Sequence, residues 1–152
     1  MTIKKEALTQ FAQKLIQTQS VTGNEKQVVE VVLSEMRSLG FDRAWADENG
    51  SAIGTIEGKE SGPTILLDAH CDTVGIAPGS TWTYDPFAGE IADGYIYGRG
   101  AADMKGALAA MIYAVADINR SQLAGSIAIS ATVHEEVMEG VTLATVVEEV
   151  HP

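Results

Sequence analysis

His70, Asp72, Asp103, Glu135 and Glu136 are the residues of this chain whose types and spacing could do chemistry. An imidazole nitrogen is the commonest protein metal ligand, and carboxylate oxygens take zinc at about 2.0–2.2 Å. A histidine with several carboxylates can hold a pair of cations if one carboxylate gives an oxygen to each. Metal-assisted hydrolysis is the reaction such a set suits, because bound cations polarise a carbonyl and bring the pKa of water towards neutrality.

The roles divide by position. His70, Asp103 and Glu136 read as metal ligands, with Asp103 as the bridge. Asp72 lies two residues after His70, so in an extended segment both side chains point the same way. It is expected to hydrogen-bond the other ring nitrogen and so fix the tautomer. Glu135 and Glu136 are neighbours and would repel if both were free and buried. Splitting their work resolves this: Glu136 binds metal, and Glu135 takes the proton from an activated water.

Elements must bring these residues together, and helical and strand patterns alternate along the chain, which predicts an α/β fold. Residues 4–17 carry Ala7, Leu8, Phe11, Leu15 and Ile16 at near-helical spacing. A second helix follows Thr22. There Thr22 and Glu25 have capping-box spacing, Val28, Val29, Val31, Val32, Leu33 and Met36 form a broad apolar face, and Gly40 stops it. Residues 43–47 and 51–57 read as a hairpin, since Asn49-Gly50 suits the positive backbone angles of a tight turn. Residues 64–69, Thr-Ile-Leu-Leu-Asp-Ala, are continuously apolar and short, which predicts a buried central strand delivering His70. Two short strands flank Gly94. Asp103 is expected to open a helix over 104–118, whose dipole would favour the ionised carboxylate. Residues 126–133 read as a second buried strand ending at His134 and Glu135, and residues 141–150 as a last helix. The loops beyond the carboxyl ends of strands in open α/β sheets form the ligand crevice, so His70 and Glu135 could share a site.

Composition limits the rest. With 152 residues, 45% of them hydrophobic, the chain has the length of about one globular domain. A formal charge of −11 argues against nucleic acid and anionic membranes as partners. No apolar run reaches membrane-spanning or signal-peptide length, and Cys71, the lone cysteine, fits a reducing compartment, so a cytoplasmic location is expected. Between the site residues, strand alternation turns Cys71 to the opposite face as a small buried hydrophobe. His134 is expected to face away from Glu135. Arg99 and Lys105 read as solvated charges, with contact to the acidic cluster or to a substrate carboxylate as the alternative. Trp82, Tyr84 and Phe87 read as a packed loop. Gly98-x-Gly100 lacks the third glycine of a dinucleotide fingerprint, and Asp103 in its place would repel pyrophosphate.

Three segments, Asp68-Ala-His70-Cys-Asp72-Thr-Val74, Gly98-Arg-Gly-Ala-Ala-Asp103-Met-Lys-Gly106 and His134-Glu-Glu136, resemble the dinuclear-zinc metallopeptidase family that includes acetylornithine deacetylase, succinyl-diaminopimelate desuccinylase, aminoacylases and carboxypeptidase G. The resemblance covers nearly the whole chain. It implies a three-layer α/β/α sheet, mixed and largely parallel, and two zinc ions, with cobalt or manganese also accepted by such ligands. It implies hydrolysis of an amide bond in an N-acyl amino acid or small peptide, the site roles given above, and a cis peptide after Asp103. Family members are about twice this length or more. They supply one further ligand to each metal and a lid or dimerisation domain. Residues 1–152 are therefore expected to be the N-terminal part of a catalytic domain, incomplete, inactive or nearly so alone, and open to self-association at an uncovered sheet edge. The competing reading is a non-catalytic module acting through a partner surface. An aminopeptidase is a third.

Overall fold

The computed structural model describes residues 4–152. Helices α1 (Lys5–Gln17) and α2 (Lys26–Ser38) form where the apolar periodicity places them, burying Phe11, Leu15 and Ile16 on one and Val28, Val32 and Met36 on the other. Gly40, at φ +81°, ends α2 as a left-handed residue that a side chain would disfavour. Its N–H donates to Arg37 O, and that of Phe41 donates to Met36 O, the paired bonds of a Schellman stop. The expected capping box does not form at the other end. Residue 25 is the cap position but makes no side-chain cap bond: the Thr22 hydroxyl donates to Asp72, and one Glu25 oxygen accepts the Gly23 and His134 N–H groups.

Strands β1 (Arg43–Ala46) and β2 (Ala52–Glu57) make the expected antiparallel hairpin. Its turn is wider than the Asn-Gly pair suggested: only Gly50 has positive φ, and the Asp47 carboxyl accepts the N–H groups of Asn49 and Ser51. Next come β3 (Glu60–His70), then a small hairpin of β4 (Glu90–Ala92) and β5 (Tyr95–Tyr97), α3 (Gly106–Ala116), β6 (Ala124–Thr132), and the short helices α4 (Glu135–Met138) and α5 (Leu143–Val150).

The four long strands form one sheet in the order β1-β2-β6-β3. It is mixed, as expected, but among the described residues only β3 and β6 run parallel; the other two pairings are antiparallel. The interior strands are β2 and β6. The sequence expectation of a central position for residues 64–69 is corrected here: β3 is an edge strand, and Ile65 is 54% exposed. Its apolar run is only partly covered: Leu66 and Leu67 are half-buried, and only Ala69 and His70 at its end are buried. Ile127, Ile129, Ala131 and Val133 join the residues of α1, α2 and α3 in the main core. The alternate residues Ala128 and Ser130 are fully buried on the other face, with Val146 of α5 buried outside the main cluster. The three layers are thus α1–α3, the sheet, and a thin third layer supplied by α5.

Candidate metal centre

The parallel register pairs His70 with Thr132, so β3 and β6 finish together and their following residues meet at one end of the sheet. That register makes the site. His70 is 5% exposed and its ring is bracketed on both nitrogens. Nδ1 lies 3.0 Å from the backbone carbonyl of Asp72 and 3.4 Å from its carboxylate. Nε2 lies 3.0 Å from Asp103 Oδ1 and 3.8 Å from Glu135 Oε2. Asp72 thus orients the imidazole with its backbone at least as closely as with the carboxylate assigned that task from sequence. The Asp72 carboxylate and then Asp103 hold the imidazole's pKa up to about 9, against the opposing effect of burial.

Asp72 is fully buried and anchors three segments. Its Oδ2 accepts from Thr22 Oγ1 at 2.7 Å and from the Glu136 N–H at 3.2 Å, while Oδ1 accepts from the Glu135 N–H at 3.1 Å. Burial works to raise its pKa, but these donors and His70 outweigh it, and the net shift is downward.

Asp103 reaches the site from a wide loop, Ala101–Lys105, closed by the Lys105 N–H on Gly100 O. Asp103 and Met104 are non-helical and the peptide between them is cis, as the resemblance implied. The helix expected to open at Asp103 begins instead at Gly106, so the carboxylate is held by a loop ahead of the helix rather than by its first turn. Gly100, at φ +79°, is needed there, since a Cβ would meet the Thr73 side chain at 2.7 Å.

Beyond β6, His134 adopts φ 62°, ψ 17°, a left-handed conformation that costs a non-glycine residue about 1 kcal/mol. The reversal turns α4 back over the site. Glu136 Oε1 accepts the Val74 N–H at 3.3 Å. One nitrogen of His70 and one carboxylate oxygen each from Asp103 and Glu136 all lie within 4.8 Å of one another. Donors on one tetrahedral zinc ion lie about 3.3 Å apart at ordinary bond lengths, so this donor set would suit a cation once the side chains draw inward. Among the described residues, no lysine or arginine pairs with Asp103, Glu135 or Glu136. His70 is the one side chain within ion-pair distance of Asp103 and Glu135 among the described residues, which leaves the carboxylates free to meet a cation.

The remaining expectations divide. Cys71 is fully buried on the opposite face, with its thiol pKa pushed up by burial. His134 points to Glu25, 3.7 Å away, rather than into the site. Tyr84 packs on Tyr97 with centroids 4.7 Å apart, while Trp82 remains 39% exposed beneath the Arg99 guanidinium. Lys105 corrects the solvated-charge reading: it is 1% exposed, and its Nζ donates to Leu15 O and Thr18 O, both at 2.8 Å, at the end of α1. Sequence reasoning missed Lys105, Thr22 and Glu25 as parts of the site's support. Their partners lie 50 to 109 residues away, beyond the reach of local spacing.

Comparison with known proteins settles the family. The sequence description "Peptidase family M20/M25/M40" matches residues 66–151, more than half of the chain and all five site residues. The chain belongs to this family. Among curated relatives, Uncharacterized protein YgeY of Escherichia coli (strain K12) is 34% identical to this M20/M25/M40 chain over 145 residues, covering 93% of the chain and 35% of the relative. The chain therefore spans about a third of the length of the curated relatives it matches. In fold, the M20/M25/M40 chain is similar to the M20 family metallo-carboxypeptidase Sso-CP2 from Sulfolobus solfataricus, with a TM-score of 0.75 at 23% identity, over 98% of this chain and 34% of that one. It is likewise similar to aminopeptidase PepT from Bacillus cereus ATCC 10987, with a TM-score of 0.68 at 29% identity, over 89% of this chain and 38% of that one.

Proposed function

We propose that this chain provides one wall of a dinuclear metal site that hydrolyses the amide bond of an N-acyl amino acid or small peptide. The observation that carries the reading is the convergence of His70, Asp103 and Glu136 donor atoms within 4.8 Å. His70, Asp103 and Glu136 would hold the metal, with Asp103 shared between two ions and zinc the first choice. When bound, the ions supply polarisation of the amide carbonyl and a water of lowered pKa. Asp72 keeps the His70 ring fixed through Nδ1, leaving Nε2 turned into the site. Glu135 Oε2, 3.8 Å from that nitrogen and 40% exposed, is placed to accept a proton from water and return it to the leaving amine. Names of solved structures with this fold support peptide substrates: a metallo-carboxypeptidase and an aminopeptidase are among them.

Metal content after zinc loading and dialysis tests this. Wild type is expected to retain about two zinc ions per chain. Asp103→Ala is expected to lose them while its unfolding free energy changes by less than about 1 kcal/mol, because the Asp103 side chain is 79% exposed. Two zinc ions retained equally by both proteins would sink the assignment, whereas no zinc in either would mean that the further ligands are required for binding. Turnover of dipeptides and N-acyl amino acids by the 152 residues alone is expected to be absent or nearly so, since the further ligands implied by the resemblance are not among them. Robust hydrolysis would overturn that expectation.

Proton competition gives a second check. His70, with a folded pKa raised from 6.5 to about 9, must lose its proton to bind metal. Apparent zinc affinity is therefore expected to climb about tenfold per pH unit from pH 6.5 towards 9, in a titration at constant ionic strength. In the metal-free chain the sign is opposite. A raised pKa means His70 contributes stability fully below pH 6.5, and that contribution is lost as pH rises through about 9. A flat zinc affinity across this window would mean that His70 releases no proton as metal binds.

A further inference from the structure

We propose that Glu25 is a positioning residue for Glu135 and Glu136, acting through the backbone of His134. The inference deepens the site reading above and rests on it. Glu25 is 5% exposed, and one carboxyl oxygen takes two backbone donors: the Gly23 N–H at 2.9 Å and the His134 N–H at 3.2 Å. The first bond shapes the loop between α1 and α2. The second crosses 109 residues to the left-handed residue that separates β6 from α4.

That residue is where direction is decided. At φ 62° His134 reverses the chain, and the next two amides then face Asp72 while the Glu135 and Glu136 side chains face His70. A histidine does not favour this conformation, so something must hold it. Glu25 supplies the acceptor for its N–H from a buried position, where leaving that donor unpaired would be costly. The same loop sends Thr22 to Asp72 at 2.7 Å and Ser20 to Cys71 O at 2.7 Å, so one loop holds both strand ends that carry the site. Thr22 and Glu25, spaced as a helix-capping pair, thus each reach a strand end far along the chain.

Hydrogen exchange with cobalt binding separates positioning from simple stability. The amides of Glu135 and Glu136 bond to Asp72, not to Glu25, so they report whether the effect passes through His134. In Glu25→Ala and Glu25→Asp their protection is expected to fall about tenfold relative to Ile129 in the interior strand β6, with cobalt(II) affinity falling about tenfold in parallel. Glu25→Gln keeps an acceptor oxygen at the same reach and is expected to preserve both. Unchanged protection relative to Ile129 in Glu25→Asp would overturn the proposal, as would a loss in Glu25→Gln equal to that in Glu25→Asp. If Glu25→Ala does not fold, the other two variants decide. Failure of the wild type to take up cobalt counts against the metal reading, and the exchange ratios then judge the positioning role by themselves.

Discussion

Asp72→Ala is expected to lower the unfolding free energy by about 4 kcal/mol, the largest single effect among the site residues. The carboxylate is fully buried and accepts the Thr22 hydroxyl and the N–H groups of Glu135 and Glu136, with the His70 ring against it. Truncation leaves those donors unpaired, at about 1–3 kcal/mol for each that water cannot reach. Asp72→Asn keeps one acceptor oxygen and is expected to cost about half as much. The pH dependence follows from the lowered pKa. A depressed carboxyl pKa contributes stability above the unfolded value of 3.8, and that contribution is lost as pH falls through the folded value. The gap between wild type and Asp72→Ala should therefore narrow in acid. Urea unfolding at neutral and acid pH, with equal slopes in both proteins, measures this; a neutral-pH loss under about 1 kcal/mol would mean the contacts are not buried as described.

Lys105→Met is expected to cost about 2 kcal/mol. Methionine fills the space of the stem but leaves the Leu15 and Thr18 carbonyls, both partners of Nζ, without their donor. These groups close α1, where a cation is also favoured by the helix dipole. Relief of a buried charge offsets part of the loss: burial pulls the ammonium pKa down from 10.5 to about 8. The sign of the pH effect is then fixed. Between pH 8 and 10.5 the unfolded lysine holds a proton the folded one has released, so the penalty on the folded state fades as pH rises. The neutral amine still has two N–H groups for its two carbonyls. The stability difference between wild type and Lys105→Met is thus expected to widen from pH 7 to pH 10, read by thermal or urea unfolding at both values. A difference that shrinks would show that the ammonium charge itself, not hydrogen bonding, holds this contact.

These two residues also mark how far sequence reading reaches. His70, Asp72, Glu135 and Glu136 were legible because each follows an apolar strand, and a strand's end is a local property. Asp103 was legible as a site residue from its glycine turn, but not its setting, since a helix opening at Gly106 and one opening at Asp103 share the same composition. The edge position of β3 was not legible: continuous apolarity reports that burial is wanted, not which strand provides it. Lys105 failed for a related reason. A lysine is solvated by default, and only the arrival of α1's last carbonyls above it makes burial tolerable. Thr22 and Glu25 kept the spacing of one local device while serving another.

The strand order carries a consequence for biosynthesis. β2 and β3, made early, both pair with β6, and neither pairs with the other. A growing chain therefore holds the β1–β2 hairpin with one open edge, and β3 with no strand partner, until residues 124–132 emerge, an interval of several seconds at about 5–20 residues per second. Glu135 and Glu136 follow immediately behind. Joining of the hairpin to β3 and assembly of the acidic cluster thus await the same strand, so the sheet and the site are completed together.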